Sequence, residues 1–183
     1  MLKPKIYILN AMTFGLDTLN FLINKVQICG VIGLDTQNED VNYSETRIWA
    51  EQLKIPYISV NNYSLKDDEE KKKLQSLDID ILIVTGWQRL IPKWLINQCR
   101  IGVIGLHGSP WGITKGRGRS PQNWAIIMGE RTFELSAFLI QPGVDDGPVL
   151  ATKIYQLMDS DDIVSSYIKV GWLYSEMIIE SIP

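Results

Sequence analysis

Short apolar runs alternate with amphipathic stretches along most of the chain. Five of these runs have the length and β-branched content typical of strands: "KIYILN", "VQICGVIGL", "IPYISV", "IDILIVTG" and "IGVIGLH". The stretches between them predict helices, in order "FGLDTLNFLINK", "ETRIWAEQLK" with Ser44 as its cap, the charged "SLKDDEEKKKLQSL", and a short helix or turn in "WQRLIPKWLINQ". This alternation indicates an open, mostly parallel α/β sheet with helices on both faces.

The remaining third of the chain extends the same pattern. A helix is predicted over "SPQNWAIIMGE", then two strands, "LSAFLI" and "VLATKIYQL", flank the loop "QPGVDDGP". The apolar segment "DIVSSYIKVGWLYSEMIIESI" has helical period and closes the domain. We therefore expect one domain over residues 1–183, with active-site loops at the carboxyl ends of its strands.

Composition narrows the classes of partner. The 183 residues are 45% hydrophobic, and 18 Lys and Arg against 21 Asp and Glu give a net charge of −3, without the basic stripe that favours nucleic acid. Cys29 and Cys99 lie far apart and form neither a disulfide framework nor a metal-ligand spacing. No segment has the length of a signal peptide core or a membrane span, so we expect a cytoplasmic protein.

Two common cofactor motifs are missing from the sequence. The turn after the first strand reads "LNAMTFG" and lacks G-x-G-x-x-G, and no phosphate-binding P-loop is present. Nicotinamide and ATP are therefore not favoured as cofactors, and no metal site is predicted.

The only histidine, His107, follows an apolar strand and precedes a glycine-rich loop. A lone histidine is often a surface or core-edge residue, but the carboxyl end of a strand in an α/β sheet is where catalytic groups lie. Further along, Gly143 and Gly147 bracket Asp145 and Asp146, a composition that by itself fits a hairpin turn.

Taken together, these segments resemble the catalytic domain of 10-formyltetrahydrofolate-dependent formyltransferases. The resemblance rests on the strand ending in "LHGS", the loop "GRGRSPQNWAIIMGE", the segment "GVDDGPVLATKI" and the folate-binding-like "GWQRLIP". Arg117, Gly118, Pro121 and Trp124 match the branch that formylates amino-sugar nucleotides or methionyl-tRNA. The resemblance implies a Rossmann-like fold and 10-formyltetrahydrofolate as the formyl donor.

The implied reaction passes a formyl group to a primary amine through a tetrahedral adduct, which needs proton transfer and oxyanion stabilisation. By resemblance, His107 is the proton-transfer group and oxyanion partner, and Asp145 orients it. Asp146 is the competitor one residue away.

Further residues are assigned by the same resemblance. The cofactor-binding candidates are Gln88, Arg89, Leu90, Ile91, Val144 and Asp146; the acceptor-binding candidates are Ser109, Trp111, Arg117, Gly118 and Arg119. Arg117 and Arg119 could hold a sugar-linked pyrophosphate or simply stiffen the loop. Trp87 and Trp111 are candidates for lining a folate or base site, whereas Trp124 is expected in the core.

Gly105 is a departure from the family pattern, which has asparagine two residues before the histidine. Losing one oxyanion donor costs about 10²–10³ in rate. Asn10, Gln88, Ser109 or a water could replace it, or turnover could be lost. Gly105→Asn is expected to raise turnover about tenfold, unless the space above Gly105 is already filled.

The acceptor is narrowed by two other departures. The turn "NAMTFGLDTL" lacks the glycine-rich phosphate site of glycinamide ribonucleotide formyltransferases. Methionyl-tRNA formyltransferases add a C-terminal domain and basic surface, whereas this chain is acidic and ends at Pro183. An amino sugar on a nucleotide carrier is the favoured acceptor. The alternatives are those two acceptors, hydrolysis of 10-formyltetrahydrofolate, and a folate- or nucleotide-binding protein without turnover; a homodimer is left open.

Overall fold

The protein has a seven-stranded sheet with helices on both faces, which confirms the predicted fold class. The structure is a computed structural model that describes residues 3–34, 46–118 and 120–183; the expected helix cap Ser44 lies outside them. The elements are β1 (Ile6–Asn10), α1 (Thr13–Leu22), β2 (Ile28–Leu34), α2 (Thr46–Gln52), β3 (Tyr57–Val60), α3 (Asp68–Gln75), β4 (Ile81–Gly86), α4 (Lys93–Gln98), β5 (Gly102–Ser109), α5 (Gly112–Lys115), α6 (Pro121–Ile127), β6 (Thr132–Leu139), β7 (Val149–Gln156) and α7 (Ile163–Ser181).

The strands lie in the order β3-β2-β1-β4-β5-β6-β7. The five strands from β3 to β5 are parallel, and β6 and β7 continue the sheet antiparallel. β5 therefore has a parallel neighbour on one side and an antiparallel one on the other. Because β6 runs back along β5, Leu139 pairs with Ile104, and the hairpin after β6 starts beside the amino-terminal part of β5.

Two apolar layers cover the faces of the sheet. On one face, side chains of α1, α2, α6 and α7 pack against the strands, including the fully buried Leu19, Ala125 and Ile178. On the other face, Leu74 of α3 and Leu95 of α4 pack against Leu82 and its neighbours. Because both faces of the sheet are covered, its strands need apolar residues at nearly every position, which explains the continuous apolar runs in the sequence.

The final helix, α7, is 19 residues long and begins with a capping box. The Asp162 carboxylate accepts a hydrogen bond from the Ser165 backbone N–H, and the Ser165 hydroxyl oxygen accepts one from the Asp162 backbone N–H. Such a capping box stabilises a helix start by about 1 kcal/mol. In the part of the chain that the structure describes, α7 and the other helices are too short or too polar to cross a bilayer.

The prediction that Trp124 belongs to the core is wrong, because its side chain is 56% exposed. Only Gln122 and Ala125 of α6 are buried, so the helix turns Trp124 and Ile127 outward. The short helix α5 was not predicted, since four residues are too few to show a helical period.

Candidate active site

Two adjoining cavities open where β4 and β5 end. The larger, about 460 Å³, lies between these strand ends and helices α1, α6 and α7. The smaller, about 170 Å³, lies between the strands, the segment after β4 and the hairpin that follows β6. We call them the large and the small cavity. Trp87, Leu106 and Asp145 line both of them.

His107 lies in β5 at the wall of the large cavity and is 7% exposed. Its Nε2 atom is 2.7 Å from the carbonyl oxygen of Gly116. Because a carbonyl oxygen only accepts, Nε2 is the donor. The other ring nitrogen, Nδ1, is 3.5 Å from Oδ2 of Asp145, so the imidazole is held between the loop after β5 and the β6–β7 hairpin.

Asp145 has a left-handed backbone, with φ 44°, at the tip of that hairpin. Aspartate tolerates this conformation better than most residues. Its Oδ2 atom also accepts a 2.9 Å hydrogen bond from the backbone N–H of Gly118. The carboxylate therefore joins the two loops at the point where the cavities meet.

Asp146, the alternative partner, points elsewhere. Its carboxylate is 51% exposed and 3.9 Å from the guanidinium of Arg117, and the residue lines neither cavity. The geometry thus places Asp145, one residue earlier, beside the imidazole. A buried imidazole next to a carboxylate can move a proton to or from a group bound in the cavity.

The space beside Gly105 is occupied by apolar side chains. A Cβ atom at this position would lie 2.7 Å from Cγ1 of Ile140 and 2.8 Å from Cζ of Phe138. Phe138 is directly opposite Gly105 in the sheet, and both line the small cavity. The room that an asparagine amide would need is therefore absent, and the expected gain from Gly105→Asn is replaced by a steric collision.

Of the suggested substitute donors, only Gln88 reaches a cavity. Asn10 is fully buried, where its amide donates to the Thr46 hydroxyl. Ser109 is also fully buried, and its hydroxyl accepts from the backbone N–H of Trp111. Asn10 and Ser109 thus support the loops from within, and Ser109 is not placed for acceptor binding.

Most of the cofactor-binding candidates surround the cavities. Arg89 and Leu90 line both, Ile91 lines the small cavity, and Val144 lines the large one. Trp87 lines both and donates from its indole to the carbonyl of Tyr63. Asp146 is the cofactor candidate that falls outside them.

The acceptor-binding candidates are less concentrated. Gly118 lines the large cavity, whereas Trp111 is 44% exposed and lines neither cavity. Arg117 lies outside both and faces Asp146. Arg119 is outside the described residues.

The helical wall of the large cavity was not predicted from the sequence. Phe14 of α1 stacks on Tyr167 of α7 at 5.4 Å between ring centroids, and Gly171 and Tyr174 continue the wall along α7. The spacing of 167, 171 and 174 gives one helix face, but this pattern does not distinguish a core face from a cavity wall.

The turn between β1 and α1 is closed by its own contacts. The side chain of Met12 is buried, and its sulfur accepts from the Tyr63 hydroxyl at 3.3 Å. The backbone N–H of Gly15 donates to the Met12 carbonyl, and that of Ala11 to the Gly86 carbonyl. These two amides are therefore not available to a phosphate. Within the described ranges, no three His, Cys, Asp or Glu side chains cluster as metal ligands would.

Similar proteins fall in one family. Residues 16–182 match the family described as "Formyl transferase". Methionyl-tRNA formyltransferase of Thermodesulfovibrio yellowstonii is 35% identical over 118 residues, or 64% of this chain and 38% of that protein. Methionyl-tRNA formyltransferase of Coxiella burnetii (strain RSA 331) is 26% identical over 176 residues, or 92% of this chain and 54% of that protein. The chain thus spans 38–54% of the length of these curated relatives.

Solved structures share the fold at low sequence identity. Phosphoribosylglycinamide formyltransferase from Bacillus halodurans superposes with a TM-score of 0.77 at 13% identity, covering 97% of this chain and 93% of that one. A formyltetrahydrofolate deformylase from Pseudomonas syringae has a TM-score of 0.72 at 17% identity, covering 97% of this chain and 59% of that one. Since the family match extends over nearly the whole chain, from α1 to the end of α7, the chain belongs to the formyl transferase family.

Proposed function

We propose that the chain transfers a formyl group from 10-formyltetrahydrofolate to a primary amine. The observation that carries this proposal is the His107–Asp145 pair at the junction of two cavities. A transfer between two small molecules needs adjoining sites and a proton-transfer group between them, and this arrangement supplies both.

The folate is assigned to the small cavity. Its walls include the apolar side chains of Ile91, Phe138 and Ile140, together with polar groups such as Thr85 and Arg89. A flat pterin fits apolar walls and is recognised by backbone N–H and C=O groups at the edges. The formyl group would then lie at the boundary with the large cavity, near Leu106 and Asp145.

The amine acceptor is assigned to the large cavity. The amine lone pair attacks the formyl carbon, and a tetrahedral adduct with a negatively charged oxygen forms. His107, held by Asp145, takes a proton from the amine nitrogen and delivers it to the folate nitrogen as the bond from that nitrogen to carbon breaks. The products are an N-formyl acceptor and tetrahydrofolate, and the pair returns to its starting state.

For the acceptor, we propose an amino sugar on a nucleotide carrier. Phe14, Trp87 and Tyr167 offer aromatic surface against which a sugar or base can pack. The closed turn at Met12 disfavours a phosphate site after β1. Methionyl-tRNA is the second candidate, because the relatives described above bear that name.

Product analysis tests the proposal. The protein is incubated with 10-formyltetrahydrofolate and, separately, a UDP-linked amino sugar, methionyl-tRNA or glycinamide ribonucleotide. Tetrahydrofolate release and the mass of the formylated product are measured, with His107→Ala as the inactive control. We expect formylation of the amino sugar. Formylation of methionyl-tRNA alone would transfer the assignment to the second candidate, and formate release that no amine changes would indicate a hydrolase.

A further inference from the structure

Tyr174 of α7 lies in the large cavity close to the reacting groups. The side chain lines the cavity together with His107, Gly108 and Asp145. Its hydroxyl oxygen is 3.0 Å from the position that a Cβ atom of Gly108 would occupy. Gly108 directly follows His107 in β5, and successive strand residues point to opposite faces of a sheet. The hydroxyl and the imidazole therefore approach the large cavity from opposite faces of β5.

The Tyr174 hydroxyl has no hydrogen-bond partner among residues 3–34, 46–118 and 120–183, the ranges that the structure describes. Its neighbour Tyr155 is different, since its hydroxyl is hydrogen-bonded to that of Ser166, which also accepts from the amide of Gln122. Tyr174 is partly buried, so its unpaired oxygen faces the cavity, where a bound molecule can reach it.

The hydroxyl is also kept neutral. Burial raises the pKa of Tyr174 above its ordinary value, and nearby Tyr155 and the negative charge of Asp145 add to the rise. A phenol that stays neutral does not take a proton from the amine, but the lone pairs of its oxygen still accept a hydrogen bond.

We propose that the Tyr174 oxygen accepts one N–H bond of the acceptor amine and so directs the amine lone pair at the formyl carbon. This inference rests on the proposed function. A neutral primary amine has two N–H bonds: one proton leaves through His107 during transfer, and the other is held by Tyr174. A secondary amine has a single N–H and cannot satisfy both groups, so Tyr174 makes the site selective for primary amines.

Tyr174→Phe removes only the hydroxyl oxygen. We expect kcat/KM for the acceptor to fall about tenfold, the effect of one lost hydrogen bond to an oriented group. The KM for 10-formyltetrahydrofolate is expected to stay within about twofold, because binding of the folate does not use this contact. The preference for the primary amine over its N-methyl derivative should shrink in the same variant.

Tyr155→Phe is the matched control, since it removes a phenol oxygen from the same region outside the cavity. We expect a lower Tm from its broken hydrogen bond to Ser166 and transfer kinetics within about twofold of wild type. Tyr174→Phe, which breaks no hydrogen bond within the protein, is expected to have an unchanged or higher Tm.

The assays use the wild-type protein and both variants with the three acceptors named above and their N-methyl derivatives. Equal kcat/KM and equal discrimination in wild type and Tyr174→Phe would overturn this inference alone. A parallel loss of transfer and folate binding in Tyr174→Phe would also overturn it, because the role would then be structural. No transfer to any amine by the wild-type protein would overturn the proposed function and this inference with it.

Discussion

The substitution Gly105→Asn tests the packing of the small cavity. Its Cβ atom would approach Phe138 Cζ at 2.8 Å and Ile140 Cγ1 at 2.7 Å, whereas carbon atoms in ordinary contact are about 3.5–4.0 Å apart. Both neighbours must move, and Phe138 is only 3% exposed. Overpacking of this kind costs about 1–3 kcal/mol, which for a chain of this length lowers Tm by roughly 3–10 °C.

The displaced side chains also line the small cavity, so folate binding should weaken by about tenfold or more, the equivalent of roughly 1.4 kcal/mol. Thermal melting and equilibrium titration with a folate analogue measure the two effects. Gly105→Ala is the matched variant, because it adds the colliding Cβ without an amide. Ile140→Ala, combined with Gly105→Asn, should recover part of the lost affinity. A wild-type Tm together with a higher kcat in Gly105→Asn would refute the steric collision at this position.

Three further predictions concern other parts of the site. His107→Ala and Asp145→Asn should each lower kcat/KM by about 10²–10⁴ with little change in Tm. Asp146→Asn breaks only an exposed ion pair and should change kcat/KM less than about threefold. A larger loss for Asp146→Asn than for Asp145→Asn would assign the role beside His107 to Asp146. Gly116→Ala places a Cβ atom 1.6 Å from the buried hydroxyl oxygen of Ser109, so the loop must shift and the hydrogen bond between His107 and residue 116 should break. Wild-type kinetics in this variant would show that the hydrogen bond is not needed. Burial raises the pKa of the Cys99 thiol to about 12, so a disulfide reagent at about pH 8 should label it only after unfolding, and rapid labelling of the native protein would count against the described packing.

The strands and the position of His107 follow from the sequence, because five apolar runs alternate with helical segments and a single histidine ends one of them. The pairing of Asp145 with that histidine depended on family resemblance, since the residues around it satisfy an ordinary hairpin equally well. The contents of the space at Gly105 could not be predicted. Phe138 near the end of β6 and Ile140 just after it are about 35 residues away in sequence, and the antiparallel pairing of β6 with β5 brings them there.

Trp124 and Tyr174 show that the contacts of a helical residue also cannot be predicted from the sequence. Periodicity identifies an apolar face but not what that face meets. On the short helix α6, Gln122 and Ala125 take the inward positions and Trp124 is left in solvent. On α7, the face that packs on α1 also reaches the large cavity, so Tyr174 appears in sequence as one more core aromatic.

The hydrogen bond from His107 to the Gly116 carbonyl restricts which ring nitrogen can take part in the proposed proton transfer. While this contact holds, Nε2 donates to the Gly116 carbonyl oxygen. Nδ1 is then the ring nitrogen that faces Asp145. In the proposed transfer, Nδ1 would therefore both take the proton from the amine and return it toward the folate nitrogen, with the Asp145 carboxylate beside it at both steps.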